Sequence, residues 1–575
     1  MATINGGEML VRVLEQQGVD TIFTLHGGHL DAIFQAALDH NIRLIDTRHE
    51  QAAGHAAEGW ARCTRRPGVA IVTAGPGVTD VITAVTNAYL DCVPTLFIGG
   101  APPLTDAETL PLQGGIDQVD MLRPVTKWSH RVTHAHRIPD LVAQALRIAT
   151  TGRPGPVFLE LPIDVLFPQV DEAKAHFPAR VRPEEAPRPS PSAVAQVLQW
   201  LSSAKRPAIL LGGGAWFSGG DEVRTFARAS GIPVFSNGKA RGLVPDTEEW
   251  SGGPFGTLAV LGAMGSVPDT ILILGARIGM FTGGRATQII PADARIIQVD
   301  IEGEEIGRNR EVALGIMADC RETLRALCAA EGNVRWPDFS AWRAAVREAR
   351  VVPRAQFAAS LTASGSPIHP YRLAHELARA LAPDAIVVGD GGETASWMDM
   401  ALDVTQPGSW LTHGYLGCLG VGLPFAIGAQ AAYPSRQVVC ISGDGSIGLN
   451  FSEFDTMARH GLNVVTVVNN DQQWGMSKHG QQIMYGHDRT VVTTLGPTRY
   501  DQAAAGFGCH AEFVERCEDI APALARAFRS GKPACVNVLT DPAIVAPVTA
   551  AMYGMQAAAA AASRVSLPYY GEREA

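Results

Sequence analysis

Two short polar stretches carry the clearest chemistry in the chain. Gly443-Asp444-Gly445-Ser446 follows an apolar run ending at Ile441 and precedes a segment in which Phe451, Phe454 and Met457 recur three apart, as on a helix. Glycines let a backbone approach an anion, the amides at a helix start attract it, and Asp444 offers a hard oxygen to Mg²⁺. Taken alone, Gly-Asp-Gly reads equally well as a β-turn. The second stretch, Asn469-Asn470-Asp471-Gln472-Gln473-Trp474-Gly475-Met476, follows the next apolar run and sets Asp471 27 residues after Asp444. Adjacent parallel strands joined by a crossover helix end side by side, so carboxylates at both ends would share one cation. Because Mg²⁺ keeps phosphate oxygens and water in its shell, the pair predicts a metal-bridged diphosphate.

Other residues have chemistry in waiting. Glu50 lies in Asp46-Thr47-Arg48-His49-Glu50-Gln51-Ala52-Ala53-Gly54-His55, where an extended run gives way to an Ala-rich helix. A carboxylate there either complements the helix macrodipole or serves acid–base chemistry. His26 and His29, in Leu25-His26-Gly27-Gly28-His29, form either a polar loop end or two thirds of a zinc site whose third ligand is not nearby in sequence. Gly212-Gly213-Gly214 follows an apolar run but lacks the G-x-G-x-x-G spacing of a dinucleotide site.

These residues need a large scaffold. The chain has 575 residues, 46% hydrophobic and 18% charged, which suits several globular domains and excludes disorder. A net charge of −10 without a Lys/Arg block argues against nucleic acid or an anionic membrane as partner. Nine Cys without a C-x-x-C pair read as reduced thiols in the cytoplasm, and neither a signal peptide nor a membrane span is predicted. Strand and helix patterns alternate in three blocks, which predicts an α/β protein of three doubly wound parallel-sheet domains. The Pro-rich segment 176–192 and the segment 329–370 read as connectors. They give domains at 1–180, 190–345 and 365–541, followed by an Ala-rich tail at 542–575.

With these motifs in place, the chain resembles the thiamine diphosphate enzyme superfamily, whose signature is Gly-Asp-Gly followed, one crossover later, by paired Asn. It departs at one position: Asp471, rather than the second Asn of Asn469-Asn470, falls at the ligand place, as in some acetolactate synthases, with Asn470 in reserve. The resemblance implies Mg²⁺ on Asp444, Asp471 and the Gln473 carbonyl. It also implies thiamine diphosphate against Gly445, Ser446, Gly475 and Met476, with Glu50, in an RHE-x-x-A pattern, at the pyrimidine ring. The blocks become pyrimidine-binding, central Rossmann-like and diphosphate-binding domains.

Within that superfamily the chain is similar to benzaldehyde lyase. The likeness rests on Leu25 to His29, the segment around Glu50 with His55-Ala56-Ala57-Glu58-Gly59, Leu112-Gln113 with Gly115-Ile116-Asp117-Gln118-Val119, Lys127 to Val132, and His413-Gly414-Tyr415-Leu416-Gly417. It implies a lyase that splits 2-hydroxy ketones into aldehydes and rejoins them, with His29 and Gln113 hydrogen-bonding the reacting oxygens. Leu419 becomes the apolar wedge under the cofactor, the Gly417 carbonyl a partner of its 4′-amino group, and His413 a further cofactor contact. His26, Gly28, Leu112, Ile163, Ala395, Met476 and Gly480 would complete the substrate pocket. Ile163, Ala395 and Gly480 stand where that lyase carries bulky aromatics, and Met476 replaces a small residue, so short aliphatic substrates, as free carbonyls or CoA thioesters, are expected over aryl ones. The tail, with Tyr569 and Tyr570, would close over them. A homodimer is the minimum and a homotetramer the expected assembly. A 2-hydroxyacyl-CoA lyase and an acetolactate-synthase-type decarboxylase are the neighbouring readings, FAD in the central domain is the less favoured one, and Glu50 argues against a homologue without turnover.

Overall fold

The computed structural model describes residues 2–561, 565–567 and 571–573; Tyr569 and Tyr570 of the expected lid lie outside them. Two compact units are formed, Met1–Pro353 with Asp403–Leu416, and Arg354–Leu402 with Gly417–Ala575.

The first unit contains two parallel sheets. In one, the strands run in the order Arg43–Asp46, Thr21–Thr24, Gly68–Val72, Thr95–Ala101, Pro156–Pro162, Trp128–Arg131. The three middle strands after Thr21–Thr24 are buried at every residue, as expected where helices cover both faces. Side chains alternate between the faces. Leu96 and Ile98 join the cluster of Met9, Leu10, Val13 and Leu141, from the helices Gly6–Gln16 and Ile138–Thr150. Phe97, between them, faces Gly54 on the helix Glu50–Thr64. The chain leaves Thr21–Thr24 for the edge strand on one side and returns to Gly68–Val72 on the other. The ends of those two strands therefore open a crevice at a switch point, where such sheets bind ligands.

The second sheet runs Ser251–Pro254, Val234–Ser236, Pro207–Leu211, Thr270–Leu274, Arg295–Asp300, Leu314–Met317, all parallel. Its core includes Trp342, Val346 and Ala349 of the helix Ser340–Ala355, and the Trp342 indole donates to the Pro207 carbonyl at 2.8 Å. The segment 329–370 is thus not a plain connector. Its apolar residues at spacings of four and three make a helix stripe, masked in the sequence by the Arg residues between them and by Pro353 near its end. The two sheets of this unit meet through a buried polar patch. Arg62 donates to Glu58 Oε1 at 2.9 Å and also pairs with Asp91, Asn87 donates to Glu58 Oε2 at 2.8 Å, and the Trp216 indole donates to the Arg62 carbonyl at 2.8 Å.

In the second unit, Ile386–Asp390, Val438–Gly443, Val465–Asn470, Ala534–Leu539 and His510–Val514 lie side by side in that order, all parallel. Each β-strand end on the Asp444 side is followed by a helix start or a tight turn. The last long helix, Pro547–Ala561, packs against Gly475–Tyr485.

The helix carrying Glu50 is seated by close contact. A Cβ on Gly54 would stand 2.6 Å from the Ala84 Cβ and 2.8 Å from Val81 Cγ2 of the helix Pro76–Leu90. Gly54→Val is therefore expected to lower stability by about 1–3 kcal/mol, the cost of overpacking a filled core, read as a shift in the denaturant midpoint at unchanged slope.

Candidate active site

The switch-point crevice of the first unit gathers most of its expected residues. Thr24, at the end of its strand, donates its hydroxyl to the Ile71 carbonyl at 2.6 Å. Thr47 donates to the Thr24 carbonyl at 3.2 Å and the His49 carbonyl at 2.8 Å. These bonds fix the turn from which the helix Glu50–Thr64 starts, and His49 caps it by accepting the Gln51 amide. Glu50 is the first residue of that helix and is buried, 8% exposed.

His29 and Gln113 come to the same end of the sheet. His29 is half-buried, with Nδ1 3.4 Å from the Thr73 hydroxyl, and its Cβ would lie 2.8 Å from a Cβ on Gly100. Burial holds the His29 imidazole below its ordinary pKa, so it is neutral at pH 7. Gln113 has φ +60 and lies against Gly75, whose Cβ would be 3.0 Å from that of Gln113. Gly28 is exposed, and a Cβ there would meet nothing within 4 Å. His26 points elsewhere: its Nε2 pairs with Asp31 at 3.0 Å and its ring packs on Phe34. Leu112 is 87% exposed, and Ile163 is half-buried at the start of the short helix Ile163–Leu166. His413 is half-buried, and burial holds its imidazole neutral.

Gln118 organises this crevice, a role its sequence context does not reveal. Its Oε1 accepts the Gly75 amide at 2.8 Å, while its Nε2 donates to the Gly100 carbonyl at 3.0 Å and to Glu160 at 2.9 Å. The two backbone segments touched by Gln113 and His29 are thereby tied to one buried side chain.

The second unit holds the acidic pair. Val438–Gly443 and Val465–Asn470 are hydrogen-bonded neighbours with Gly443 opposite Asn469, so Asp444 and Asp471 emerge side by side. Both oxygens of Asp444 are buried without a hydrogen-bond partner among the described residues, as is Oδ1 of Asn469. Burial, and then the facing Asp471 carboxylate, push Asp444 up to about 8; burial also raises Asp471. Two desolvated carboxylates side by side, one with both oxygens orphaned among the described residues, are the donor set of a hard divalent cation, so Mg²⁺ fits these residues. Asn470 is occupied otherwise. It donates to Asn537 at 3.1 Å and the Thr498 carbonyl at 3.2 Å, and its oxygen accepts the Gln472 amide at 3.2 Å.

Glycines let the neighbours of the acidic pair pack closely around it. A Cβ on Gly475 would stand 2.7 Å from Asp471 Oδ2, and one on Gly445 would stand 2.7 Å from the Trp474 ring. Gly391, at φ +96, passes close to the buried Ser446, and a Cβ on Gly392 would meet Met476 Sδ at 2.7 Å. The Gln473 side chain donates to Asp471 Oδ2 at 3.1 Å, and its backbone bridges to Thr494 across the turn at Gln472, φ +59. Gly417 is exposed at φ +65, Leu419 is half-buried, and Ala395 is 5% exposed within the helix Gly392–Ala401. Gly480 is buried, and a Cβ there would stand 2.6 Å from the Tyr553 ring.

In the second sheet, Gly212 and Gly214 serve close packing. Each would place a Cβ within 2.3–2.7 Å of the Gly275–Ala276 turn, and one on Gly213 would meet Lys239 Cε at 2.6 Å. These contacts support a structural reading of the Gly triplet.

Asp471→Ala is expected to weaken Mg²⁺-dependent thiamine diphosphate binding by more than the roughly 10–100-fold typical of losing an outer-shell partner. Asn470→Ala should instead lower the melting temperature with the metal dependence retained. Calorimetric titration of both variants with and without Mg²⁺ checks this; equal cofactor affinity in Asp471→Ala would shift the ligand role to Asn470.

Comparison with known proteins bears on both units. Residues 4–121 match the thiamine pyrophosphate enzyme N-terminal TPP binding domain, 194–327 its central domain and 390–538 its C-terminal TPP binding domain. Over 557 residues the chain is 37% identical to the acetolactate synthase large subunit IlvG of Mycobacterium tuberculosis, covering 95% of this chain and 97% of the relative. It is 32% identical over 540 residues to acetolactate synthase isozyme 1 large subunit of Escherichia coli, with 93% and 94% covered. It is also 32% identical over 587 residues to 2-hydroxyacyl-CoA lyase 2 of Danio rerio, with 93% and 91% covered. The three matched domains, in this order and over nearly the whole length of such relatives, make the chain a member of the thiamine pyrophosphate enzyme family.

Proposed function

We propose that this family member is a thiamine diphosphate-dependent carbon–carbon lyase and carboligase acting on 2-hydroxy carbonyl compounds. The observation that carries the reading is the switch-point crevice, where neutral His29 and Gln113 are brought to one end of a sheet whose neighbouring helix begins with buried Glu50. When bound, the cofactor supplies a nucleophilic carbon and an electron sink for the bond that is made or broken.

The protein's part is then limited. Glu50 would hold and pass a proton at the pyrimidine ring of the bound cofactor. His29, with Nδ1 turned to Thr73, offers Nε2 to the substrate oxygen, and Gln113 offers its amide. Asp444, Asp471 and the Gln473 carbonyl would hold Mg²⁺, which would supply positive charge for the diphosphate. A neutral imidazole suits exchange of a proton with a carbonyl or hydroxyl oxygen, because it both donates and accepts. The functional assembly in this reading is at least a homodimer, and a homotetramer is proposed.

A second reading is favoured by the relatives. Acetolactate synthases match at 37% and 32% identity, and a decarboxylating carboligase of that kind would need the same cofactor groups. The lyase from Danio rerio supports cleavage of a 2-hydroxyacyl thioester as a third substrate form. A panel of benzoin, a short aliphatic acyloin, a 2-hydroxyacyl-CoA and pyruvate separates these. Aldehyde release from the aliphatic 2-hydroxy substrates is expected; turnover of pyruvate alone would replace the lyase reading with the synthase one.

Glu50→Gln should retain the fold and lower turnover by about 10²–10⁴-fold, with slowed exchange of the cofactor C2 proton in deuterated water as the direct measure. His29→Ala should lower turnover with cofactor affinity unchanged. Since burial depresses the His29 pKa, its acid limb in kcat/KM lies below pH 6.5: activity rises with pH through that limb, and the limb disappears in His29→Ala.

A further inference from the structure

A buried hydrogen-bonded chain leaves the acidic pair and ends on the last helix. Gln473 Nε2 lies 3.1 Å from Asp471 Oδ2, 3.3 Å from His479 Nε2 and 2.8 Å from the Pro542 carbonyl. His479 Nε2 is itself 2.9 Å from that carbonyl, and its Nδ1 is 3.0 Å from both oxygens of Glu393. Glu393 Oε1 then accepts the Thr549 hydroxyl at 2.6 Å and the Ala546 amide at 3.4 Å. Glu393, His479 and Thr549 are 7%, 1% and 0% exposed, so water does not compete for these bonds.

One turn after Thr549, Tyr553 stands over Gly480, at the position where a side chain on residue 480 would be. Gly480 is in turn one helical turn beyond Met476, which packs over Gly392 beside the acidic pair. The helix Pro547–Ala561 thus reaches the candidate site twice, through a polar chain at Thr549 and through an aromatic ring at Tyr553.

We propose that Glu393 is a positioning residue: through Thr549 and His479 it ties the C-terminal helix to the Asp471 loop, so that loading the acidic pair fixes Tyr553 as the wall over Gly480. This rests on the cofactor reading above. A metal held by Asp471 would act on the carboxylate that accepts the Gln473 amide, and the Pro542 carbonyl, His479 and Glu393 carry that contact on to Thr549. An aromatic wall delivered by the chain end in place of a side chain at 480 narrows the substrate space without adding bulk to the helix nearest the cofactor.

The test is amide hydrogen exchange of residues 547–554 with and without Mg²⁺ and thiamine diphosphate, in wild type, Thr549→Val and Thr549→Ser, with affinity measured by calorimetry on the same samples. Loading is expected to slow exchange at least tenfold in wild type. Thr549→Val should lose that slowing with cofactor affinity held within a few-fold, and Thr549→Ser, which keeps the hydroxyl, should restore it. Equal slowing in Thr549→Val, or saturating cofactor without slowing in wild type, overturns the proposal. Failure of the wild type to bind thiamine diphosphate at all overturns the cofactor reading and the proposal with it, and calorimetry distinguishes that result.

Discussion

Two carboxylates that would rather be apart are held together by a sheet. The parallel register that sets Gly443 opposite Asn469 brings Asp444 and Asp471 face to face, Asp444 fully buried and Asp471 partly so. Desolvation and like charge together oppose ionisation of the pair, and a divalent cation is the natural remedy. Much of the second unit can be read as the consequence. Gly475 must lack a side chain because Asp471 occupies the space, Gly391 must adopt a positive φ to pass Ser446, and Gln473 must turn its amide inward to hold Asp471 in place.

In the proposed function the first unit has a different part, which is to place groups that meet the organic part of a cofactor without enclosing them. It does so with backbone precision and few charges. Gln113 is on a loop, ordinarily a mobile element, and His29 is in the short 3-10 turn Gly28–Leu30; the backbone segments beside both are pinned by the single buried side chain of Gln118. Glu50 is instead carried by a helix, locked by Gly54 against its neighbour. In that proposal the acid is on the rigid element, and Gln113, proposed to meet the substrate, is on an adjustable one.

Most of this organisation was legible in the sequence because buried parallel strands are continuous apolar runs. Val438–Gly443, Val465–Asn470 and Ala534–Leu539 stand out for that reason, and the polar residues closing the first two mark the site. What was not legible follows from the same rule. The edge strands Trp128–Arg131 and His510–Val514 are only partly buried, so polar residues dilute their pattern, and Ser251–Pro254 is built from Gly, Ser and Pro and has no strand signal at all. The helix Ser340–Ala355 hid behind its arginines. At the site, the roles of Gln118, Glu393 and His479 come from contacts across 42, 153 and 86 residues of sequence, which no local spacing encodes. Tyr553 over Gly480 is of the same kind: the missing aromatic is visible in the sequence, its replacement is not.

The dependence of Glu393 on Thr549 has a bearing on biosynthesis. The carboxylate lies on the helix Gly392–Ala401, after the first strand named in its sheet, and its hydroxyl partner follows it by 156 residues of sequence. Domains fold in the order they emerge, so the acidic pair can be assembled before the C-terminal helix exists to brace it. A chain at that stage would hold both carboxylates but not yet the ring over Gly480. In our proposal, the order of synthesis thus separates assembly of the acidic pair from the bracing of the helix that carries Tyr553.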